Sequence, residues 1–422
     1  MKWRVNSRLS LRLQSVFGAV ILLCVSPLAH GDATELRLLL DADRQGHLES
    51  AEAIELGVRT ALAERGNRVA GYDISVVPLD HRGNVKRSKL NMLAYLKDDR
   101  ALAVVGGIHS PPYLRYQNFI NANRILLLLP WSAAGPLTRV RSGENWIFRL
   151  SVDDTKAAAR LVEFTLGANR CEQPGMVLWE SGWGRTNEKT LSSALSSAGF
   201  QSVPTFYFQG NLERSDAYHL ANKVAEAQVD CVLLVATSPD GVEVVAELAR
   251  LPDAPRITSH WGITGADFEQ HINHASREAV GLHFLQTCYP FDAAKMSERL
   301  EQAWQTARRL DSSLGADITT LRAPAGFFHG YDLTLLLMAA LEQHPGITDV
   351  KVLRQLVHDT LESLDSPVPG LMRLHSQPFS AFSADKPDAH EALGLGDLCM
   401  ARWNGSDRIE IVPGQLALTG RE

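Results

Sequence analysis

Ser110 is the residue of this chain best placed to grip a small anion. Ala101–Val105 reads as a buried strand, Gly106-Gly107 ends it, and Ser110 sits just before or at the start of the helix that follows. Ile125–Leu129 reads as a second buried strand, and Pro130-Trp131-Ser132-Ala133-Ala134-Gly135-Pro136 follows it. Two parallel strands joined in this way place both turns at one carboxyl edge of a sheet, where open α/β sheets bind ligands. Helix N-termini at that edge offer unpaired N–H groups and a positive dipole end, which suits a carboxylate. The competing reading of Ser110 is a plain helix N-cap.

Catalytic constellations are not evident. The chain has no G-x-S-x-G elbow, no H-E-x-x-H, no Walker A and no G-x-G-x-x-G after a strand. Asp43, His109 and Ser110 can be drawn as a hydrolytic triad, but nothing in their spacing fixes a triad geometry. His271 and His274 have helical spacing in a polar stretch with no third ligand evident, so they read as surface histidines. A binding protein is expected, without enzyme activity, metal or other cofactor.

The elements that must position these residues alternate along the whole chain, the pattern of parallel sheets flanked by helices. Glu35–Leu40 and Tyr72–Pro78 read as strands. Ser50–Arg65, with Ala51, Ile54, Val58 and Leu62 on one face, and Lys86–Lys97 read as helices. After Phe148-Arg149 the pattern restarts. It predicts strands at Gly175–Trp179, Thr205–Phe208, Cys231–Ala236 and Ile257–His260, with helices over Asp154–Leu166, Asn187–Ala198, Asp216–Ala227 and Gly241–Arg250. Gly281–Pro290 reads as a return crossing. Helices over Met296–Arg309, Gly330–Gln343 and Val350–Leu364 and late strands at Gly370–Ser376, Leu398–Trp403 and Arg408–Val412 complete the pattern. Pro378–Gly396 reads as a long surface loop. The fold class expected is α/β, with two similar Rossmann-like lobes, because nearly 400 residues are too many for one core.

The ordered series of a Ser-bearing loop, Pro130, Ser132–Gly135, Leu137-Thr138 and Phe148-Arg149 resembles the type I periplasmic binding proteins. It is closest to the leucine/isoleucine/valine-type branch that serves ABC importers. The resemblance runs from about Glu35 to about Val412. It implies two lobes joined by three crossings, with lobe one over 34–148 plus 284–366 and lobe two over 149–283 plus 367–422. It implies that Ser110 holds a ligand carboxylate and that Trp131, Ser132 and Ala133 form the second binding loop. Ala133 stands where the family often has Thr, so Ser132 is the expected substitute. Trp183, in WESGWGR, matches an aromatic that covers the ligand. Thr237 and Trp261 stand where amino-acid binders carry an aromatic and an acid. Burying an ammonium without a carboxylate is costly, so the tryptophans point to an aromatic or otherwise flat carboxylate, with Asp240 or Glu180 as possible counter-charges for an amino acid.

Residues 1–31 read as a cleaved secretory signal. Lys2, Arg4, Arg8 and Arg12 form its basic region, Val16–Val25 its apolar core and Ala29-His30-Gly31 its cleavage site. Leu22-Leu23 before Cys24 is poor context for lipidation. Removing those four basic residues takes the formal charge from −6 to −10, which argues against nucleic acid as a partner. The expected location is the periplasm, where disulfides form. Cys171, Cys231, Cys288 and Cys399 allow three full pairings, and shared lobe position favours Cys171 with Cys231. The expected partners are a small-molecule ligand and an inner-membrane ABC permease, or alternatively a membrane receptor that reads the closed form.

Overall fold

The computed structural model describes residues 34–140, 144–289, 296–383 and 385–412. Residues 1–33, which include the expected export signal, and the tail beyond Val412 lie outside the described residues. In chain order the first region runs β1 (Glu35–Ala42), α1 (Leu48–Ala63), β2 (Arg68–Val69), β3 (Tyr72–Asp80), α2 (Val85–Lys97), β4 (Ala101–Gly106), α3 (Pro111–Ala122), β5 (Leu127–Leu129) and β6 (Ile147–Arg149). The second continues with α4 (Asp154–Gly167), β7 (Pro174–Trp179), α5 (Gly182–Ser197), β8 (Thr205–Phe208), α6 (Arg214–Glu226), β9 (Cys231–Val235), α7 (Ser238–Leu248) and β10 (Arg256–Ser259). Two short helices, α8 (Phe268–His271) and α9 (His274–Ala279), lead to β11 (His283–Thr287). The chain ends with α10 (Glu298–Leu310), α11 (Pro324–Leu341), α12 (Val350–Glu362), β12 (Val368–Pro369), β13 (Leu374–His375), β14 (Leu398–Trp403) and β15 (Ile409–Ile411).

Two large sheets result, beside a two-stranded antiparallel ribbon of β12 and β13. The first has the order β2-β3-β1-β4-β5-β6 and is parallel except for β2. The second has the order β15-β14-β11-β10-β9-β7-β8, parallel from β11 to β8, with β14 and β15 antiparallel at its edge. The central strands are buried on both faces, as continuous apolar runs such as Ala101–Val105 and Cys231–Val235 require. Helix α11 is apolar all round and buried along nearly its whole length, packed on α1. Among the described residues no helix is long and apolar enough to cross a membrane.

Two expectations are corrected. His283–Thr287 pairs with β10 and β14 in the second sheet, so residues 284–287 stand with that sheet and not with lobe one. Pro378–Gly396 is no simple surface loop. Phe379, Ala389, His390 and Leu393 are buried, and Glu391 bridges to Arg149 beside β6. The His390 carbonyl accepts from Arg149 N–H at 2.9 Å, and the Arg149 carbonyl accepts from Ala392 N–H at 3.0 Å.

Arg149 explains why this strap lies there. Its guanidinium is fully buried and meets the equally buried Glu391 carboxylate at 2.6 Å. Lys156 reaches Glu391 at 2.9 Å and Asp388 at 2.8 Å, and Arg139 reaches Asp153 at 2.8 Å. Three cations thus face three carboxylates where the chain leaves the first sheet. Although burial opposes its charge, these cations hold the Asp153 carboxyl well below the usual carboxylate range. Cys171 is bonded to Cys231 and Cys288 to Cys399. The second bond joins the end of β11 to β14.

Candidate functional site

The loops that end β4 and β5 and those that follow β7, β9 and β10 meet around one enclosed cavity. The first sheet contributes Ile108, His109, Ser110, Pro111, Trp131 and Ala133, and the second contributes Trp179, Trp183, Thr237, Trp261 and Gly262. Six of the seven residues expected at the site are therefore brought together. The cavity measures about 20 Å³, on a scale where one water needs about 10–15 Å³. Side chains fill most of the space between the loops, and Trp131, Trp183 and Trp261 are all buried. A wider cleft of about 500 Å³ adjoins it, sharing His109, Pro111, Trp179 and Thr237 and edged by Asp43, His47 and Asp240.

Ser110 occupies the N-cap position of α3, but its backbone is helical and its side chain makes no capping bond. Its oxygen instead accepts from the Ala134 N–H at 3.2 Å, which ties the first binding loop to the second. The hydroxyl proton stays free to donate toward the cavity. Ser132 does not line the cavity. It is fully buried, and its hydroxyl donates to the Gly107 carbonyl at 2.7 Å, with the His109 carbonyl at 3.0 Å as a second acceptor. Its observed contacts are those of a brace for the first loop, because a hydroxyl turned inward to two carbonyls has no proton left for a ligand.

Trp131 carries a buried indole N–H with no hydrogen-bond partner among the described residues. An unmet buried donor costs about 1–3 kcal/mol, so a ligand oxygen at this point would relieve that cost. Trp183 lies in the first turn of α5, not in a loop as its glycine-rich surroundings suggest. Ser181 caps that helix by accepting from Gly184 N–H at 3.1 Å, a start signal that the flanking glycines obscure. Gly262 is the matching small residue: a Cβ there would stand 2.8 Å from Trp183 Cη2 and 2.3 Å from the Ala236 carbonyl oxygen. Thr237 caps α7 by position but makes no side-chain capping bond, which leaves its hydroxyl available to the cavity.

Two residues outside the expected set pack against the tryptophans. His260 is fully buried, with its ring 5.0 Å from that of Trp183 and 5.3 Å from that of Trp261, and its Nε2 is 3.1 Å from Asp154 Oδ1. Asn187 donates to the other Asp154 oxygen at 2.9 Å. His329, on α11, sits behind Trp131 and Trp261 at ring distances of 6.5 and 6.3 Å, and its Nε2 is 2.8 Å from the Thr287 hydroxyl. Burial pushes the His329 pKa down to about 3, so the ring is neutral at ordinary pH. Neither histidine stood out in the sequence, since a lone His in an apolar stretch has no spacing signal.

Among the described residues no carboxylate lines the tryptophan cavity. Asp240 lies on the wider cleft and accepts from Leu212 N–H at 2.8 Å. Glu180 lines neither space and is engaged by Arg185 at 2.7 Å. The site is thus an aromatic slot with free hydroxyl and indole donors.

Comparisons with known proteins agree with this architecture. The sequence profile of the family described as periplasmic binding protein matches residues 43–377. Comparison with curated protein sequences gives no match. A possible leucine/isoleucine/valine-binding protein from Rhodopirellula baltica is similar in structure, with a TM-score of 0.72 and 16% identity over 92% of this chain and 98% of that one. A solute-binding protein of an ABC transporter from R. palustris, solved with benzoate, gives 0.70 and 15% over 90% and 95%. A substrate-binding protein from Desulfitobacterium hafniense, solved with Leu, gives 0.64 and 19% over 90% and 100%. With the two-sheet architecture and the profile match over most of its length, the chain belongs to the periplasmic binding protein family, type I.

Proposed function

We propose that this protein captures a small carboxylate between its two lobes in the periplasm and delivers it to an ABC importer, without chemical turnover. Lobe one would consist of residues 34–149 plus 288–366 and lobe two mainly of the remainder. The observation that carries the reading is the composition of the cavity wall among the described residues: four tryptophans, free donors at Ser110 and Trp131, and no carboxylate. Aromatic faces suit a flat apolar body, and hydroxyl and indole N–H groups suit its carboxylate. An α-ammonium would be buried there without a counter-charge, which is unfavourable. Of the similar structures, one is a complex with benzoate and another a complex with Leu. The wall chemistry sides with an aromatic or branched carboxylate that lacks an ammonium.

Binding to both lobes favours the closed form and thereby shifts a hinge equilibrium. The export signal read over residues 1–31 supports a periplasmic location. Native mass spectrometry of protein taken from the periplasm tests the reading. A retained aromatic or branched carboxylate, recovered chemically unchanged, is the expected result. A retained cationic ligand, or conversion of the ligand on incubation, contradicts it.

A further inference from the structure

The wider cleft holds a second constellation that solute capture by the tryptophan slot does not use. Asp43, His47 and His109 are all buried, and each presents a ligand atom within 4.8 Å of the others. His81 stands beside them, its ring 5.8 Å from that of His109, while the His47 and His109 rings are 4.4 Å apart. The four residues come from the loops after β1, β3 and β4, which topology places side by side at the carboxyl edge of the first sheet. We propose that this cluster binds one divalent transition-metal ion, with Asp43, His47 and His109 as ligands and the adjacent imidazole of His81 as a fourth.

Three observations support the assignment. First, the ring nitrogens lack partners. His81 is fully buried with neither nitrogen hydrogen-bonded, and His47 Nε2 and His109 Nδ1 are buried and unpartnered as well. A buried imidazole ordinarily finds a partner for its polar atoms. One ion can take one nitrogen from each ring, so the unpartnered nitrogens of His81 and His109, together with one nitrogen of His47, call for a shared acceptor of lone pairs. Second, the carboxylate is already aimed. Asp43 Oδ1 accepts from the Gln45 and Gly46 N–H groups at 3.1 and 2.9 Å, leaving Oδ2 to face His47 Nδ1 at 3.3 Å. That separation equals the edge of a tetrahedron with metal–ligand bonds of about 2.0–2.1 Å. Third, the backbone leaves room for it. A Cβ on Gly46 or Gly83 would stand 2.9 or 3.2 Å from the same Oδ2.

The donor set decides the class of ion. Imidazole nitrogen with one carboxylate suits zinc, copper or nickel and is poor for magnesium or calcium. The ligand atoms all lie within 4.8 Å of one another, so a side-chain adjustment of about 1.5 Å at most brings them to tetrahedral edges of about 3.3–3.4 Å. The site faces the cleft and shares His109 with the tryptophan slot, yet it does not depend on which solute that slot takes.

The test is calorimetric titration of the full mature chain, stripped with chelator, using Zn²⁺ as the probe and Mg²⁺ as the control. One Zn²⁺ per chain is expected, undisturbed by excess Mg²⁺. His47→Ala and His109→Ala should each weaken it at least tenfold, in line with the loss of a ligand. His271→Ala, at a surface histidine, should leave it unchanged. Asp43→Asn keeps size and shape and carries the same test should a histidine variant fail to fold. Unaltered Zn²⁺ affinity in folded His47→Ala, His109→Ala and Asp43→Asn proteins, or no stoichiometric uptake by the unaltered chain, overturns the proposal.

Discussion

The Ser110 hydroxyl oxygen accepts a hydrogen bond from the Ala134 backbone N–H at 3.2 Å, so the two loops of the first sheet that face the slot are joined through a residue that also lines it. Ser110→Ala removes both functions. Ligand affinity should fall by about 1–3 kcal/mol, the loss of a hydrogen bond to a charged group. Stability should fall by about 1 kcal/mol, because a buried N–H loses its acceptor. Calorimetry with the retained ligand and thermal unfolding separate the two effects. Unchanged affinity with reduced stability would make Ser110 a loop tie alone.

Trp183→Ala should weaken binding and also reduce ligand-induced compaction in small-angle scattering. Trp183 stands on the second sheet's side of the cavity, opposite Ser110 and Trp131. On the proposed two-lobe reading it would contribute to the closed form and not to first docking. Gly262→Ala should act in the same direction, since its new Cβ meets the edge of the Trp183 ring.

Arg149 and Glu391 form a buried ion pair between β6 and the strap after α12. Arg149→Leu should destabilise by at most about 3–5 kcal/mol, because it removes the fully buried partner of Glu391 while Lys156 and Arg139 still face that carboxylate. Adding Glu391→Leu should recover part of that loss. Denaturant unfolding of the two single variants and the double variant measures the coupling.

His329 is neutral and buried, with its pKa pushed down from 6.5 to about 3. The unfolded chain binds a proton there below about pH 6.5 while the folded chain does not, so this residue's contribution is lost as pH falls from 6.5 toward 3. The stability gap between the unaltered protein and His329→Gln should narrow below pH 6.5, by at most about 1.4 kcal/mol per pH unit. A gap that stays constant from pH 8 to pH 4 contradicts the assignment of a neutral ring.

Much of the fold was legible because alternating apolar runs and amphipathic stretches carry their own period. Ala101–Val105 and Cys231–Ala236 could hardly be anything but buried strands. The loops bearing Ser110, Trp131, Thr237 and Trp261 were legible as neighbours at the carboxyl edges of the sheets because they end such strands. What stayed hidden depends on partners distant in sequence. Ser132 looked like a ligand contact until its hydroxyl was seen turned to Gly107 and His109. The strap around Glu391 has no period because its order comes from one buried arginine 242 residues away. The start of α5 was set too late because Gly182 and Gly184 mask the Ser181 cap. Asp43, His47, His81 and His109 are scattered over three loops, so only the topology of the first sheet makes them neighbours.

The central claim is that the tryptophan slot takes a carboxylate without needing an ammonium. Matched ligand pairs test it most directly: phenylalanine against 3-phenylpropanoate, and leucine against 4-methylpentanoate, each titrated into ligand-free protein by calorimetry. In each pair the two molecules share a carboxylate and a side chain and differ in the α-ammonium. The account predicts that the member lacking the ammonium binds at least as tightly in both pairs. Tighter binding of both amino acids, weakened by Asp240→Asn or Glu180→Gln, would contradict it and would mean that an acid from the cleft reaches the ligand.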